Sequence, residues 1–286
     1  MHKPFIHAIG VVFVAAFFGF KPLITSAWAQ TVPQISTVPN FWDPKGVQDR
    51  PGSVPDKIQF LAADGHPPFV FRDADGRLTG FNVDLARALC EVLESSCALR
   101  IKDFEVLIQA LEEEEGDAVI SGLARSPELA SRIAFTEDYL KLPARFVVRA
   151  EPAPTLDLRK FDGVRLSVEA GSRHEAFARR FWPEADLFTF ESAALARHAL
   201  KDNTADAHFG DGLSLSFWIR GAASEGCCGF TGGPWLEPGY FSEGYSIAVR
   251  KDDRERLEAL SYALKQVHLS GIYRELYLRY FPLSFY

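Results

Sequence analysis

The chain has 286 residues, 47% of them hydrophobic, 24% charged and 13% aromatic, a composition that excludes disordered, collagenous and coiled-coil chains. Lys and Arg total 31 against 38 Asp and Glu, a formal charge of −7 without any Lys/Arg-rich block, which argues against nucleic acid or anionic lipid as partner. The length fits one large domain or two modest ones, each able to bury a core.

In chain order, Met1-His2-Lys3 is a basic start, Ile9 to Phe20 an apolar run, and Ala27-Trp28-Ala29 a small-x-small triplet. Together they predict a signal peptide over residues 1–29, cleaved after Ala29, and therefore an exported protein. The apolar run is short of the ~20 residues that cross a bilayer, and Lys21 closes it. Loss of Lys3 and Lys21 takes Lys and Arg from 31 to 29 against 38 acids, so the exported chain carries about −9. Residues 30–56 contain Pro33, Pro39, Pro44, Pro51 and Pro55 and read as an extended Pro-rich segment.

Ile58–Ala63 reads as a strand, and from Asn82, a fair N-cap, Ala86, Leu89, Cys90 and Leu93 recur at helical spacing. Phe104–Glu115 reads as one helix with Leu107, Ala110 and Leu111 inward; Gly116 stops it, and Ala118–Ser121 is a buried strand. The run Glu112–Glu115 is a solvated helix end rather than a metal site. Ser126-Pro127-Glu128 opens a short helix, Phe146–Arg149 is a strand, and Val164–Val168 leads into Gly171-Ser172, where Ser172 and Glu175 have capping-box spacing. Ala193–Leu200 is helical, and Ala205–Phe209 is a short strand ending at Gly210-Asp211. Tyr245–Val249 is a strand, Leu257, Leu260, Leu264 and Val267 share one helix face, and a Tyr-rich helix covers Gly271–Tyr280.

Four cysteines in an exported chain can form disulfides. On an unbroken helix Cys90 and Cys97 would stand about 10.5 Å apart, beyond the ~7 Å limit for a bridge, so pairing requires the helix to end between them. Glu94-Ser95-Ser96 is a suitable end, which favours a Cys90–Cys97 staple from helix to strand. Cys227-Cys228 lies in a Gly-rich loop, where a vicinal disulfide, two free thiols and an intermolecular bridge all remain open.

Strand and helix alternate from residue 58 to 280, predicting an α/β fold with largely parallel sheets and ligands at the C-terminal strand ends. Those ends are Ala63–Phe69, Ser121–Arg125, Glu169–Arg173 and Gly210-Asp211. Gly-x-Ser-x-Gly, His-Glu-x-x-His and P-loop patterns are absent, and His174, His198 and His208 lack metal-ligand spacing. No catalytic residue, metal or cofactor is expected.

At these loops the sequence resembles the type II periplasmic solute-binding proteins of ABC importers, specifically the polar amino-acid group, family 3. The resemblance covers about residues 57–283. It rests on His66-Pro67-Pro68-Phe69, Gly80-Phe81-Asn82-Val83-Asp84-Leu85-Ala86, Asp103-Phe104, Asp117–Gly122, Ile133-Ala134-Phe135-Thr136, Glu169-Ala170-Gly171-Ser172, Ala205-Asp206-Ala207 and Ile247–Lys251, in that order. The Cys90/Cys97 pair also matches a disulfide of some members that bind basic amino acids.

The resemblance implies two lobes joined by two hinge crossings, near Tyr139–Pro143 and Tyr240–Gly244. Residues 57–139 and 245–286 would form one lobe, and 140–244, hinge segments included, the other. It places the exported chain in the periplasm and implies a monomeric receptor that closes on a small solute and then docks on an inner-membrane permease. By position, His66 and Phe104 would stack on the ligand, Ser121 and Gly122 contact it from a strand end, Ser172 offer helix N–H groups to an anion, and Asp211 take an amine. The sequence departs from the pattern where the family's carboxylate-binding Arg stands, which is Leu129, and where a Thr precedes that helix, which is Ala124. Either Arg125 and Arg173 restore the cation, or the ligand lacks an α-carboxylate. Two alternatives share the fold: a cyclohexadienyl dehydratase, with Glu169, Asp211 or His66 as general acid, and a sensor or accessory protein.

Overall fold

The computed structural model describes residues 38, 49–150, 157 and 160–286. The expected signal peptide and most of the Pro-rich segment lie outside the described residues. Among the described residues no helix is long and apolar enough to cross a membrane.

The chain begins with β1 (Lys57–Ala62), a ribbon of β2 (Phe71–Arg72) and β3 (Leu78–Thr79), α1 (Phe81–Leu93), β4 (Ser96–Ile101) and a 3-10 turn at Phe104–Val106. It continues through α2 (Leu107–Glu112), β5 (Ala118–Ala124), α3 (Pro127–Arg132) and β6 (Ile133–Lys141). After Leu142-Pro143 come β7 (Ala144–Arg149), β8 (Arg165–Glu169), α4 (Arg173–Phe181), β9 (Asp186–Phe190), α5 (Ala193–Lys201), β10 (Ala207–Asp211), α6 (Gly212–Arg220) and β11 (Cys228–Trp235). Residues 236–243 lead to β12 (Gly244–Arg250), α7 (Arg254–Leu269) and α8 (Ile272–Tyr280).

Two five-stranded sheets result, ordered β4-β1-β5-β12-β6 and β11-β7-β10-β8-β9, and each forms the centre of one lobe. Each is mixed rather than largely parallel: β12 runs against β5 and β6, and β7 runs against β10 and β11. The reversed strand is in both cases the one that follows a crossing. In the first lobe Phe60, Leu85, Leu89, Ile120, Ile247 and Leu260 pack between sheet and helices. In the second, Phe146, Phe161, Trp182 and Phe209 form an aromatic core, with Phe146–Phe209 and Phe161–Trp182 centroids both 4.6 Å apart. Such pairs contribute about 0.5–1.5 kcal/mol each beyond buried area.

Several local expectations change. Gly80, not Asn82, is the N-cap of α1; the Phe81 and Asn82 N–H groups donate to the Pro68 and Phe69 carbonyls. The preceding turn therefore caps this helix through its backbone, and Asn82 is buried with its Nδ2 donating to the Ile120 carbonyl at 3.3 Å. Phe104–Glu115 is not one helix but a 3-10 turn followed by α2. The bridge between Cys90 and Cys97 is present, with Cα atoms 6.1 Å apart, because Glu94 turns left-handed at φ 58 and ends α1. Cys227 and Cys228 are bonded to each other, and Cys228 opens strand β11 rather than lying in a loop. Within the acidic run, Glu112 pairs with Arg132 and Glu115 with Lys102.

Gly80 has φ +133, and a Cβ there would stand 2.1 Å from the Phe69 carbonyl oxygen. Gly80→Ala is expected to destabilise the protein by on the order of 3 kcal/mol, through strain and a clash with unyielding backbone. A wild-type urea midpoint for that variant would contradict the close approach.

Candidate ligand-binding cleft

On the first lobe the loop after β1 folds back on itself, with the His66 N–H donating to the Val70 carbonyl at 2.9 Å. His66 is exposed and stacks on buried Phe69, centroids 5.4 Å apart and 12° from parallel. β5 runs on to Ala124 rather than ending at Ser121, which ties the middle of that strand to this loop, its Oγ accepting from the Ala63 N–H at 2.9 Å. Gly122 has φ +71 and lies against Tyr245, whose ring a Cβ would approach to 3.2 Å. Phe104 is 49% exposed, which leaves a ring face uncovered at the end of β4, the strand beside β1.

On the second lobe, β8 and β10 end at a cavity of about 100 Å³ lined by Glu169, His174, Arg197, His208, Asp211 and Ser214. Asp211 caps α6, its Oδ1 accepting from the Ser214 N–H at 2.7 Å. Burial pushes the Arg197 guanidinium below its ordinary pKa, and the Glu169 and Asp211 carboxylates oppose that shift. The imidazoles stay neutral. His174 is pushed down to about 3 by burial, then by Arg173 and His208. His208 is pushed down to about 4 by burial, then by Arg197. The His208 Nδ1 lies 3.0 Å from the Ser167 carbonyl, which can only accept, so the proton sits on Nδ1 and Nε2 carries the lone pair.

The expected residues fall into separate groups. His66, Ser121, Gly122 and Ala124 share the first lobe, where Ala124 pairs with Tyr245 across β5 and β12. Asp211 lines the second-lobe cavity; Ser172 is not among that cavity's lining, and its hydroxyl donates to the Glu169 carbonyl and accepts from the Glu175 N–H to cap α4. Arg173 donates to the Tyr240 carbonyl at 3.2 Å, over the Phe241 ring. Arg125 donates to the Thr136 carbonyl and lines a different cavity of about 450 Å³ with Glu137, Asp138, Lys141 and Glu243. Leu129 packs on the apolar cluster of Leu107, Leu111 and Val119.

Sequence reasoning missed Arg197 and Tyr245. Arg197 sits on a helix with no motif around it, and only the approach of α5 to the end of β10 reveals it. Tyr245 follows the second crossing, and its hydroxyl pKa is raised by burial and by the Asp211 carboxylate, which ties the two lobes electrostatically.

Two sheets linked by two crossings, with a charged cavity at strand ends, form the architecture of a two-lobed solute receptor. The sequence pattern of the bacterial extracellular solute-binding proteins, family 3, matches residues 58–283, and the chain belongs to that family. It is 31% identical to the ABC transporter arginine-binding protein 1 of Escherichia coli (strain K12), over 80% of this chain and 93% of that one. An ancestral cationic amino acid solute binding protein has a TM-score of 0.59 at 27% identity, over 79% of this chain and 96% of the other. An ancestral cyclohexadienyl dehydratase has a TM-score of 0.66 over 80% and 93%, but at 22% identity that likeness concerns the fold alone.

His208 gives the fold a pH dependence of definite sign. Its folded pKa of about 4 lies below the ordinary 6.5, so the unfolded chain binds more protons between those values. The stabilisation is complete above pH 6.5 and is lost as pH falls towards 4, by about 2 kcal/mol between pH 7 and 4.5 for this group. Denaturant unfolding at pH 7, 5.5 and 4.5 should show a steeper decline for wild type than for His208→Asn; equal slopes would mean that the imidazole is open to protons in the fold.

Proposed function

We propose that the protein is a periplasmic receptor that captures a cationic amino acid between its lobes and delivers it to the permease of an ABC importer. The observation that carries this reading is the second-lobe cavity, where Glu169 and Asp211 face the space without an ion pair among the described residues. Half-buried carboxylates without a counterion are costly, and a ligand ammonium relieves that cost. With both imidazoles neutral, two carboxylates and Arg197 leave the cavity at −1, which complements a ligand of net charge +1. The exposed rings of His66 and Phe104 supply the facing apolar surface, where a cationic side chain finds favourable π-faces.

Arginine binding by an Escherichia coli relative and cationic amino acid binding by the ancestral protein support the choice of ligand class. The leader over residues 1–29 supports export, and a single receptor chain is taken as monomeric. We read the protein as non-catalytic on the strength of its likeness to arginine-binding proteins of Escherichia coli. Turnover of prephenate by the purified chain would overturn that part.

A thermal-shift screen with L-arginine, L-lysine, L-histidine and L-glutamate tests the assignment. A cationic amino acid at 100 times its Kd should stabilise the fold by about 2.7 kcal/mol, whereas glutamate should not shift it. Asp211→Ala should remove most of the shift for the bound ligand. An unchanged shift in that variant would reject the amine assignment.

A further inference from the structure

Position 129, where the resemblance puts a carboxylate-binding arginine, is an apolar side chain packed into a hydrophobic cluster. The two arginines that the sequence put forward are engaged elsewhere. Arg173 is hydrogen-bonded to the Tyr240 carbonyl, and Arg125 belongs to the cavity around Glu137 and Asp138. Arg197 differs from both. It lines the same small cavity as Asp211 and Glu169, and among the described residues it has no hydrogen bond and no ion pair. The Trp218 ring centre lies 5.9 Å from its Cζ, at the outer limit of a cation–π contact.

A half-buried guanidinium without an acceptor among the described residues retains five N–H donors in a planar fork. That fork matches a carboxylate bidentately. The two acids beside it are too far away to pair with it, yet close enough that a carboxylate placed there without a positive group would be repelled. The cavity therefore suits an anion and a cation held side by side.

We propose that Arg197 binds the ligand's carboxylate from the second lobe while Asp211 and Glu169 take the adjacent ammonium group, so that the receptor selects solutes carrying both, as α-amino acids do. This rests on the receptor reading above and adds to it the residue that replaces the cation missing at Leu129. The ligand's carboxylate and ammonium then belong to one lobe, and the side chain extends towards His66 and Phe104 on the other. Arg197 is in this account a specificity residue: it decides whether a carboxylate is required.

The test is titration calorimetry of the purified full chain with L-arginine and with agmatine, its decarboxylated counterpart. Wild type should prefer L-arginine. Arg197→Gln should weaken L-arginine by about 10- to 100-fold, the size expected for a charged hydrogen-bonded pair, and leave agmatine within about twofold. Arg197→Lys, which keeps the charge but loses the fork, should fall between the two. Equal losses for both ligands would assign Arg197 a structural role and overturn the inference, as would an unchanged preference for L-arginine. A wild type that binds both equally overturns the inference but leaves the receptor reading intact. A wild type that binds none of L-arginine, L-lysine and L-histidine removes the receptor reading for cationic amino acids and this inference with it.

Discussion

Only two residues, Leu142 and Pro143, separate β6 from β7, and this short link constrains much of the architecture. The chain passes from the first sheet into the second within these two residues, so β7 starts at the end of the second sheet that lies nearest the first. It runs against β10 and β11. After the return through residues 236–243, β12 likewise runs against β5 and β6. The parallel strands beside each reversed strand then end at the cleft, which is where β5, β8 and β10 deliver Ser121, Glu169 and Asp211.

Packing behind those strand ends makes the site rigid on one side and open on the other. The aromatic core of Phe146, Phe161, Trp182 and Phe209 holds β7, β8 and β10 in place, and buried Ser167 and His208 tie β8 to β10 through a hydrogen bond that leaves the Nε2 lone pair unprotonated. In front of that core the charged groups Glu169, Arg197 and Asp211 surround space instead of pairing with one another. On the first lobe the Phe69 ring supports both His66 and Tyr245, and the Gly80 approach to Phe69 binds the same loop to α1. A fault in that loop would thus act on the fold and on the cleft together.

How far the sequence could be read depends on the range of the interaction. Elements set by their own periodicity and caps, such as α3 with Ser126 and α5 with its apolar face, are where the residues place them. Elements whose partners are distant are not: β9 carries few buried residues and pairs only at an edge, and β11 contains Gly232, Gly233 and Pro234 yet is held by β7. Asn82 has the chemistry of a cap, but the Pro68 and Phe69 carbonyls already occupy the helix start, a contact invisible in one dimension.

By itself, then, the sequence determined the α/β class, the family, the pairing that requires α1 to end after Leu93, and the absence of an arginine at position 129. Those are local matters of spacing, motif order and residue type. The tertiary structure alone decided which charges share a cavity. Arg125, Arg173 and Arg197 are equivalent as letters, and only the crossing of α5 over the end of β10 brings the third of them beside Asp211, because burial and distance are properties of the folded chain.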